Sequence, residues 1–351
     1  MCIRDRDGVL ACEDDVLIAW DGANAGTIGY GKRGYIGSTI SRLRLHDTSK
    51  FYAPFIGMFL QSNFSYLRKT ATGATIPHIN RDALERISVP VFGHDDQVRI
   101  ATLLSKIENL IFRRSEQLKQ LDELLKSVFL EMFGDPVRNE KGWETVPFSK
   151  ILKDIESGWS PVCEARRASS SEWGVLKLGA ITSCVFKEDD NKALLPDVQP
   201  KTKNEVHVGD LLFSRKNTYD LVAACVYVFN TKAKLMISDL MFRFVFNDDF
   251  AVNPLYIWKL LINDLQRKKI QSLAGGAAGS MPNISKANLK TILIPLPPIE
   301  LQNHLAAILT KVESLKTHYI KSLTDLESLY GIISKKAFKG EQDLSRMPTV
   351  D

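Results

Sequence analysis

The sequence predicts an α+β fold in which one mixed domain occurs twice, each copy followed by a long helix. Three observations carry that expectation: a segment that recurs 205 residues later, two heptad seams, and short β-rich runs bounded by turns between them. A chain of 351 residues, 44% hydrophobic and 25% charged, suits about two domains and excludes a disordered or fibrous polypeptide. No run of ~18 apolar residues occurs, since Ile292 to Ile299 is cut by Pro295, Pro297 and Pro298, so a membrane span is not expected. Residues Met1 to Arg6 are charged and lead into no apolar core or cleavage site, which argues against a secretory signal and for the cytoplasm.

In the repeat, Ile76-Pro77-His78-Ile79 with Leu84, Ile87, Val89, Pro90, Gln97, Ile100, Leu104, Ile107 and Glu108 returns as Met281-Pro282-Asn283-Ile284 with Leu289, Ile292, Ile294, Pro295, Gln302, Leu305, Leu309, Val312 and Glu313. The register holds without a gap to Phe133 and Phe338. Upstream the echo is fainter: Asp15-Val16-Leu17-Ile18 resembles Asp210-Leu211-Leu212-Phe213, and Ser38 to Leu45 resembles Ser238 to Val245. So long a period excludes a solenoid, whose units run about 20–50 residues. The second copy has 67 residues between Trp143 and Asp210, whereas only 14 precede Asp15, so about 53 residues are expected to be missing from the first copy.

In the first copy, strands are expected near Val16 to Trp20, Thr27 to Tyr30 and Thr39 to Leu45, then a helix near Ala53 to Arg68. From Asp96 to Phe133 the apolar positions step by three and four through Ile100, Leu104, Ile107, Ile111, Leu118, Leu121, Leu125, Val128 and Met132, broken only at Arg114. At ~1.5 Å per residue such a helix is about 60 Å long, and Gly134-Asp135-Pro136 stops it. In the second copy, Val175 to Ile181, Asp210 to Phe213, Val222 to Phe229, Leu235 to Ile237, Met241 to Phe246 and Thr291 to Ile294 read as strands, and Asn253 to Gln271 as a helix. The last helix runs from Ile299 to Phe338 with Leu305, Leu309, Val312, Tyr319, Leu323, Leu326, Tyr330, Ile333 and Ala337 on its seam, interrupted by Lys316. Each long helix is too one-sided to stand alone in water, so the two are expected to pack on each other as an antiparallel coiled coil or on an outside partner.

Five cysteines, Cys2, Cys12, Cys163, Cys184 and Cys225, lie too far apart for a zinc site or redox pair and are expected to be free thiols. A net charge of +5, from 46 basic and 41 acidic residues, is compatible with nucleic acid without requiring it.

The order of these parts, with Ile294-Pro295-Leu296-Pro297-Pro298-Ile299-Glu300-Leu301-Gln302 leading into the last helix, resembles the specificity subunit of type I restriction-modification systems over about Asp14 to Glu341. Val175 to Ile181, Gly209 to Arg215 and the Gly-rich Gly275 to Pro282 add to the likeness, whereas Val91-Phe92-Gly93 departs from it where the second copy has Leu296-Pro297-Pro298. The resemblance implies a partial first target-recognition domain (residues 1–94), a central long helix (95–134), a linker (135–142), a second target-recognition domain (143–298), a distal long helix (299–338) and a tail (339–351). It further implies a non-catalytic protein that reads a bipartite site on double-stranded DNA. Two methyltransferase subunits would dock on the helices through Ile100, Leu104, Ile107, Leu118, Leu121, Leu305, Leu309, Val312, Leu323 and Leu326, with restriction subunits joining them. The chain itself is expected to hold no metal or cofactor, the methyl donor and ATP being bound by those partners. Two other readings are the recognition part of a fused methyltransferase-nuclease and a coiled-coil scaffold that binds proteins.

Base edges are read by Arg, Lys, Asn or Gln, and phosphates by basic or small hydrogen-bonding groups. Arg215, Lys216, Asn217 and Tyr219, just after a strand, are the foremost candidates, with Lys177 of the Val175 to Ile181 stretch as a further one. Trp20, Asn24, Lys32 and Arg33 are their counterparts in the first copy, and Gly279 and Ser280 of the Gly-rich loop offer backbone amides to a phosphate. Asn253-Pro254-Leu255-Tyr256 is similar to a methyltransferase Asn-Pro-Pro-Tyr motif, but it lacks the second Pro and any Gly-rich loop upstream, so it reads as a helix start. Glu188-Asp189-Asp190 and Asn247-Asp248-Asp249 read as solvated turns, and Arg267-Lys268-Lys269 as a solvated helix end.

Overall fold

The computed structural model describes residues 8–73, 75–276 and 281–341. The chain forms two compact units, residues 1–118 with 317–351, and residues 119–316.

The first unit opens with β1 (Val9–Ala11), β2 (Asp15–Ala19), β3 (Ile28–Gly29), β4 (Gly34–Ile36) and β5 (Ile40–Arg44). β2 lies between β3 and β5 in an antiparallel sheet, and β1 pairs with β4. Asp15 closes the corner before β2. Its carboxylate accepts from the Cys12 amide at 2.8 Å and from Arg44 Nε and Nη2, both at 2.9 Å. The Arg44 bond outweighs burial and, with the Cys12 amide, holds the Asp15 carboxyl below the usual carboxylate range.

Helices α1 (Ala53–Ser62), α2 (Phe64–Lys69), α3 (Arg81–Glu85) and α4 (His94–Phe133) follow. The single helix expected over 53–68 divides at Asn63, whose side chain takes the Phe59 carbonyl at 2.9 Å in competition with the helix ladder. Phe55 is fully buried between the edges of Phe92 and Phe338, at centroid distances of 5.8 and 5.7 Å, a burial worth ~1.5–3 kcal/mol. Gly57 leaves room for the Tyr30 ring, which a Cβ there would meet at 2.3 Å. The Tyr30 and Tyr330 hydroxyls both donate to Glu108, at 3.3 and 2.6 Å, and burial together with that carboxylate raises both phenol pKa values.

The second unit begins within α4, which ends at Phe133 where Gly134 takes φ +75°. It continues through β6 (Thr145–Pro147), α5 (Phe148–Ile151), β7 (Leu152–Ser157), β8 (Gly174–Leu176), β9 (Asn191–Ala193), β10 (Leu211–Ser214), β11 (Cys225–Tyr227), β12 (Leu235–Met236) and β13 (Met241–Phe246). Then come α6 (Pro254–Ile262), α7 (Asp264–Gln271), α8 (Lys286–Lys290), β14 (Leu293–Pro295) and α9 (Ile299–Phe338), which belongs to the first unit from Thr317 onward. The strands form a sheet of order β11-β10-β13-β7, a second of order β12-β8-β9 with β12 and β8 parallel, and a β14-β6 pair. Phe129, Phe133, Phe148, Phe213, Tyr256, Leu305 and Leu309 are among the buried residues of its main core.

Several sequence expectations change here. The strand expected over 175–181 ends at Leu176 and gives way to a 3-10 turn, because Gly179 lets the Asp190 carboxylate close on the chain, 2.0 Å from where a Cβ would lie. The run 222–229 keeps only three strand residues, since Ala223 turns the chain at φ +62°. The helix expected over 253–271 divides at Asn263, whose Oδ1 accepts from Leu265 and Gln266 at 3.1 and 3.3 Å and so caps α7. Asn253 caps α6 in the same way, with Pro254 at the first turn, as a helix start requires. The breaks in the heptad seams are also accounted for. The Arg114 guanidinium lies 4.2 Å from the Tyr319 ring centroid in the first unit, and in the second Lys316 Nζ reaches Asp122 at 2.8 Å and Glu313 at 3.1 Å.

The repeat is written in hydrogen bonds. Asp210 accepts from the His207 amide as Asp15 does from Cys12. Arg243, facing Leu212, reaches Asp210 at 3.1 Å, while Arg42, facing Leu17, lies 3.9 Å from Asp15. The Trp20 amide donates to Thr39 and the Arg215 amide to Leu240, so the echo of Ser38 to Leu45 belongs one residue further on than Ser238. In a strand that shift matters, because one residue exchanges the two faces.

Candidate nucleic-acid interface

β10 delivers Arg215, Lys216 and Asn217 to a loop that is held from two sides. On one side the Ile284 amide donates to the Arg215 carbonyl at 2.8 Å, the Asn217 amide to the Pro282 carbonyl at 3.2 Å, and Arg215 Nε to Asn283 Oδ1 at 3.1 Å. On the other, Arg267 Nη2 takes the Asp220 carbonyl at 2.9 Å, and Gln271 Nε2 takes the Tyr219 and Val222 carbonyls at 3.0 and 3.1 Å. Arg267 is therefore a brace beneath the loop and not a solvated helix end, whereas Lys268 and Lys269 are exposed. The loop after β10 and the segment before α8 meet at Asn283, which bridges to both Lys216 and Gly275.

The candidate readers are placed unequally on this frame. Tyr219 is 63% exposed, while Arg215 is half-buried with its guanidinium 5.0 Å from the Phe242 ring centroid. Lys216 is half-buried, and Asn217 is only 5% exposed, its Oδ1 accepting from Thr218 at 2.9 Å and its Nδ2 lacking a partner. Lys177 stands apart from the loop's braces and is ion-paired with Asp190 at 2.5 Å. Gly279 and Ser280 lie outside the described residues.

The first unit builds the same joint from different side chains. The Ile79 amide donates to the Trp20 carbonyl at 2.9 Å and the Gly22 amide to the Pro77 carbonyl at 3.0 Å, with His78 bridging to both Asp21 and Thr72. Here His78 Nδ1 meets the Asp21 carboxylate where the second unit has Asn283 and Arg215. Trp20 is half-buried, Asn24 is exposed in the turn that its carbonyl closes with Thr27, and Lys32 and Arg33 are exposed between β3 and β4. The residue types alone do not single out His78, Asn283 or Gln271 as parts of this joint. The signal for the first two was the Pro77-His78-Ile79 and Pro282-Asn283-Ile284 echo itself.

The acidic clusters are turns with their own partners, Asp189 with Arg167, Asp190 with Lys177, and Glu188 with the Lys232 amide. Among the described residues no group of His, Cys, Asp and Glu is arranged to hold a metal ion, Cys12, Cys163, Cys184 and Cys225 are free thiols, and no helix is long and apolar enough to cross a membrane.

Each α+β unit thus carries a loop pair clipped by the same backbone bonds, Ile79 to Trp20 in one and Ile284 to Arg215 in the other. The chain belongs to the type I restriction modification DNA specificity domain family, whose model matches residues 6–122 and 177–326. It is 35% identical over 163 residues to the type I restriction enzyme EcoEI specificity subunit of Escherichia coli, a match covering 46% of this chain and 27% of that one. It is 24% identical over 335 residues to the MjaVIII specificity subunit of Methanocaldococcus jannaschii, covering 88% of this chain and 74% of that protein. Its fold is similar to that of the type I restriction-modification S subunit from M. genitalium, with a TM-score of 0.62 at 14% identity, over 99% of this chain and 86% of the other.

Proposed function

We propose that the chain is a sequence-specific, non-catalytic DNA-binding subunit of a type I restriction-modification complex in the cytoplasm. It reads a bipartite target on double-stranded DNA, one half through each recognition domain, within the boundaries 1–94 and 143–298. The observation that carries this reading is the braced loop pair that occurs once in each unit on the same backbone bonds, Ile79 to Trp20 and Ile284 to Arg215. Arg215, Lys216, Asn217 and Tyr219 are the readers of one half and Trp20, Asn24, Lys32 and Arg33 of the other, with Lys177, Gly279 and Ser280 assisting.

The two long helices pair as an antiparallel coiled coil. Contacts within the first unit favour this, since Glu108 meets Tyr330 and Arg114 meets Tyr319, numbers rising on one helix as they fall on the other. Methyltransferase subunits, two per chain, and restriction subunits dock there and bring the methyl donor and ATP. Ile100, Leu104, Ile107, Leu305 and Leu309, which the resemblance offers as docking positions, are buried within the chain, which favours exposed apolar positions of the same helices for docking. The apolar positions left for partners include Leu110 and Leu315, and Leu124 and Leu329, pairs separated by the repeat distance and exposed by 50%, 38%, 49% and 44%. Equivalent patches in the two halves suit two copies of one partner. Leu110→Glu with Leu315→Glu is expected to weaken co-purification of a methyltransferase subunit at least ~tenfold with no change in the melting temperature of the chain alone.

Base-modification sequencing of DNA from cells that express the chain with its methyltransferase subunit tests the whole reading. A split methylated motif is the expected outcome, and a methyltransferase that modifies the same sites without this chain would refute it.

A further inference from the structure

Comparing the two units by their own hydrogen bonds separates what the fold holds fixed from what it lets vary. Fixed are the backbone bonds that clip a Pro-X-Ile segment to the loop after the central strand: Ile79 to Trp20 with Gly22 to Pro77, and Ile284 to Arg215 with Asn217 to Pro282. The X residue also pairs by its own backbone with the incoming arm of its loop, His78 with Thr72 and Asn283 with Gly275. What varies is the side-chain set at this joint, Trp20, Asp21, Gly22 and His78 in one unit against Arg215, Lys216, Asn217 and Asn283 in the other. A constant backbone frame carrying exchanged side chains is an arrangement by which one fold can read two different sequences. A second, independent observation lies in the second unit. Ser214 Oγ and Asn217 Nδ2, beside the joint, are buried without a partner among the described residues, unmet hydrogen-bonding groups of the kind a ligand can satisfy.

We propose that each unit meets DNA through a clasp of two loops joined at one polar residue, His78 in the first unit and Asn283 in the second, and that these are positioning residues for sequence reading. The proposal rests on the DNA-binding reading above and deepens it. Asn283 acts by holding the Arg215 side chain through its Oδ1, and His78 by holding Asp21 through its Nδ1. Each side chain offers both a donor and an acceptor, so asparagine and histidine can stand in for one another at this place, whereas alanine cannot. Because the backbone bonds of the X residue do not depend on its side chain, truncation loosens the reader without undoing the loop.

The test uses the chain in complex with its methyltransferase subunit and duplexes of the methylated motif in which one half or the other is scrambled. For Asn283→Ala the affinity gained from a correct second half is expected to fall roughly tenfold or more, with the first half unaffected, and Asn283→His is expected to recover most of it. His78→Ala and His78→Asn are expected to do the same for the first half. Undiminished discrimination in Asn283→Ala, or equal loss at both halves, overturns the clasp. Should an alanine variant fail to fold, hydrogen exchange of the unaltered complex decides. The amides of Asn217 and Ile284, and of Gly22 and Ile79, are expected to gain protection together when DNA binds, and no gain at either pair overturns the proposal. A parent complex that binds no duplex at all would instead refute the DNA-binding reading itself.

Discussion

Replacing Arg243 by Met is expected to destabilise the second unit by about 3 kcal/mol, the range for removing one member of a buried ion pair moderated by the partial exposure of Glu156. The side chain is 11% exposed and uses each of its five N–H donors. Nε and Nη2 reach Glu156 Oε2 at 2.8 and 2.5 Å, Nη1 reaches the Glu205 carbonyl at 2.6 Å and Asp210 at 3.1 Å, and Nη2 also reaches the Lys203 carbonyl at 2.7 Å. Burial works against the charge, and Asp210 and Glu156 outweigh it, so the guanidinium pKa stands above its usual value. Met fills much of the volume but takes the Arg243 donors from two carbonyls and two carboxylates. Thermal unfolding should show a loss of roughly 6–12 °C. Lysine, with three donors on a compact head, should recover less than half of it. Because Arg243 stands opposite Leu212 on the strand that delivers the reading loop, the same variant should lose discrimination at the second half-site before it loses its fold. A melting temperature within 2 °C of the parent, on the scale of an exposed substitution, would remove Arg243 from that role.

The long-range architecture was legible because repetition and periodicity are written along the chain. Both long helices follow from their seams, and Gln97 and Gln302, Pro77 and Pro282, and the acids Asp15 and Asp210 all hold equivalent places in the two units. Less legible were features decided by partners distant in sequence. The breaks at Asn63 and Asn263 look like ordinary helix positions until their side chains take backbone groups. Strands β6, β7 and β9 carry weak patterns, and β7 is a strand mainly because β13 lies alongside it. Of the candidate site, the loop after β10 could be named from its residue types. That Asn283 and Arg267 hold it could not, because those contacts join residues 68 and 47 positions apart. What covers the seam leucines is equally illegible, since a heptad says that a face is buried without saying by what.

Substituting Gln302 by Leu is expected to cost the second unit about 2–4 kcal/mol although it replaces a polar side chain by an apolar one in a core. Gln302 is 1% exposed, and its amide does two jobs: Oε1 accepts from the Asn253 backbone at 2.9 Å, and Nε2 donates to the Pro297 carbonyl at 2.8 Å. Leucine adds apolar contact yet leaves one N–H and one C=O without partners, each worth ~1–3 kcal/mol when buried. The N–H belongs to the cap residue of α6 and the C=O to the Pro-Pro turn that admits α9, so the amide ties the recognition domain to the start of its long helix. Gln97 makes the equivalent tie in the first unit, accepting from Tyr52 at 3.0 Å and donating to Phe92 at 2.9 Å and to Lys50 at 2.8 Å. Its replacement by Leu should therefore cost a similar amount, read locally. In hydrogen exchange, Gln302→Leu should speed the Asn253 amide and leave Tyr52 unchanged, and Gln97→Leu should do the reverse. If neither amide responds to its own glutamine, the ties are incidental, and the helix entries are held by their proline turns and apolar packing alone.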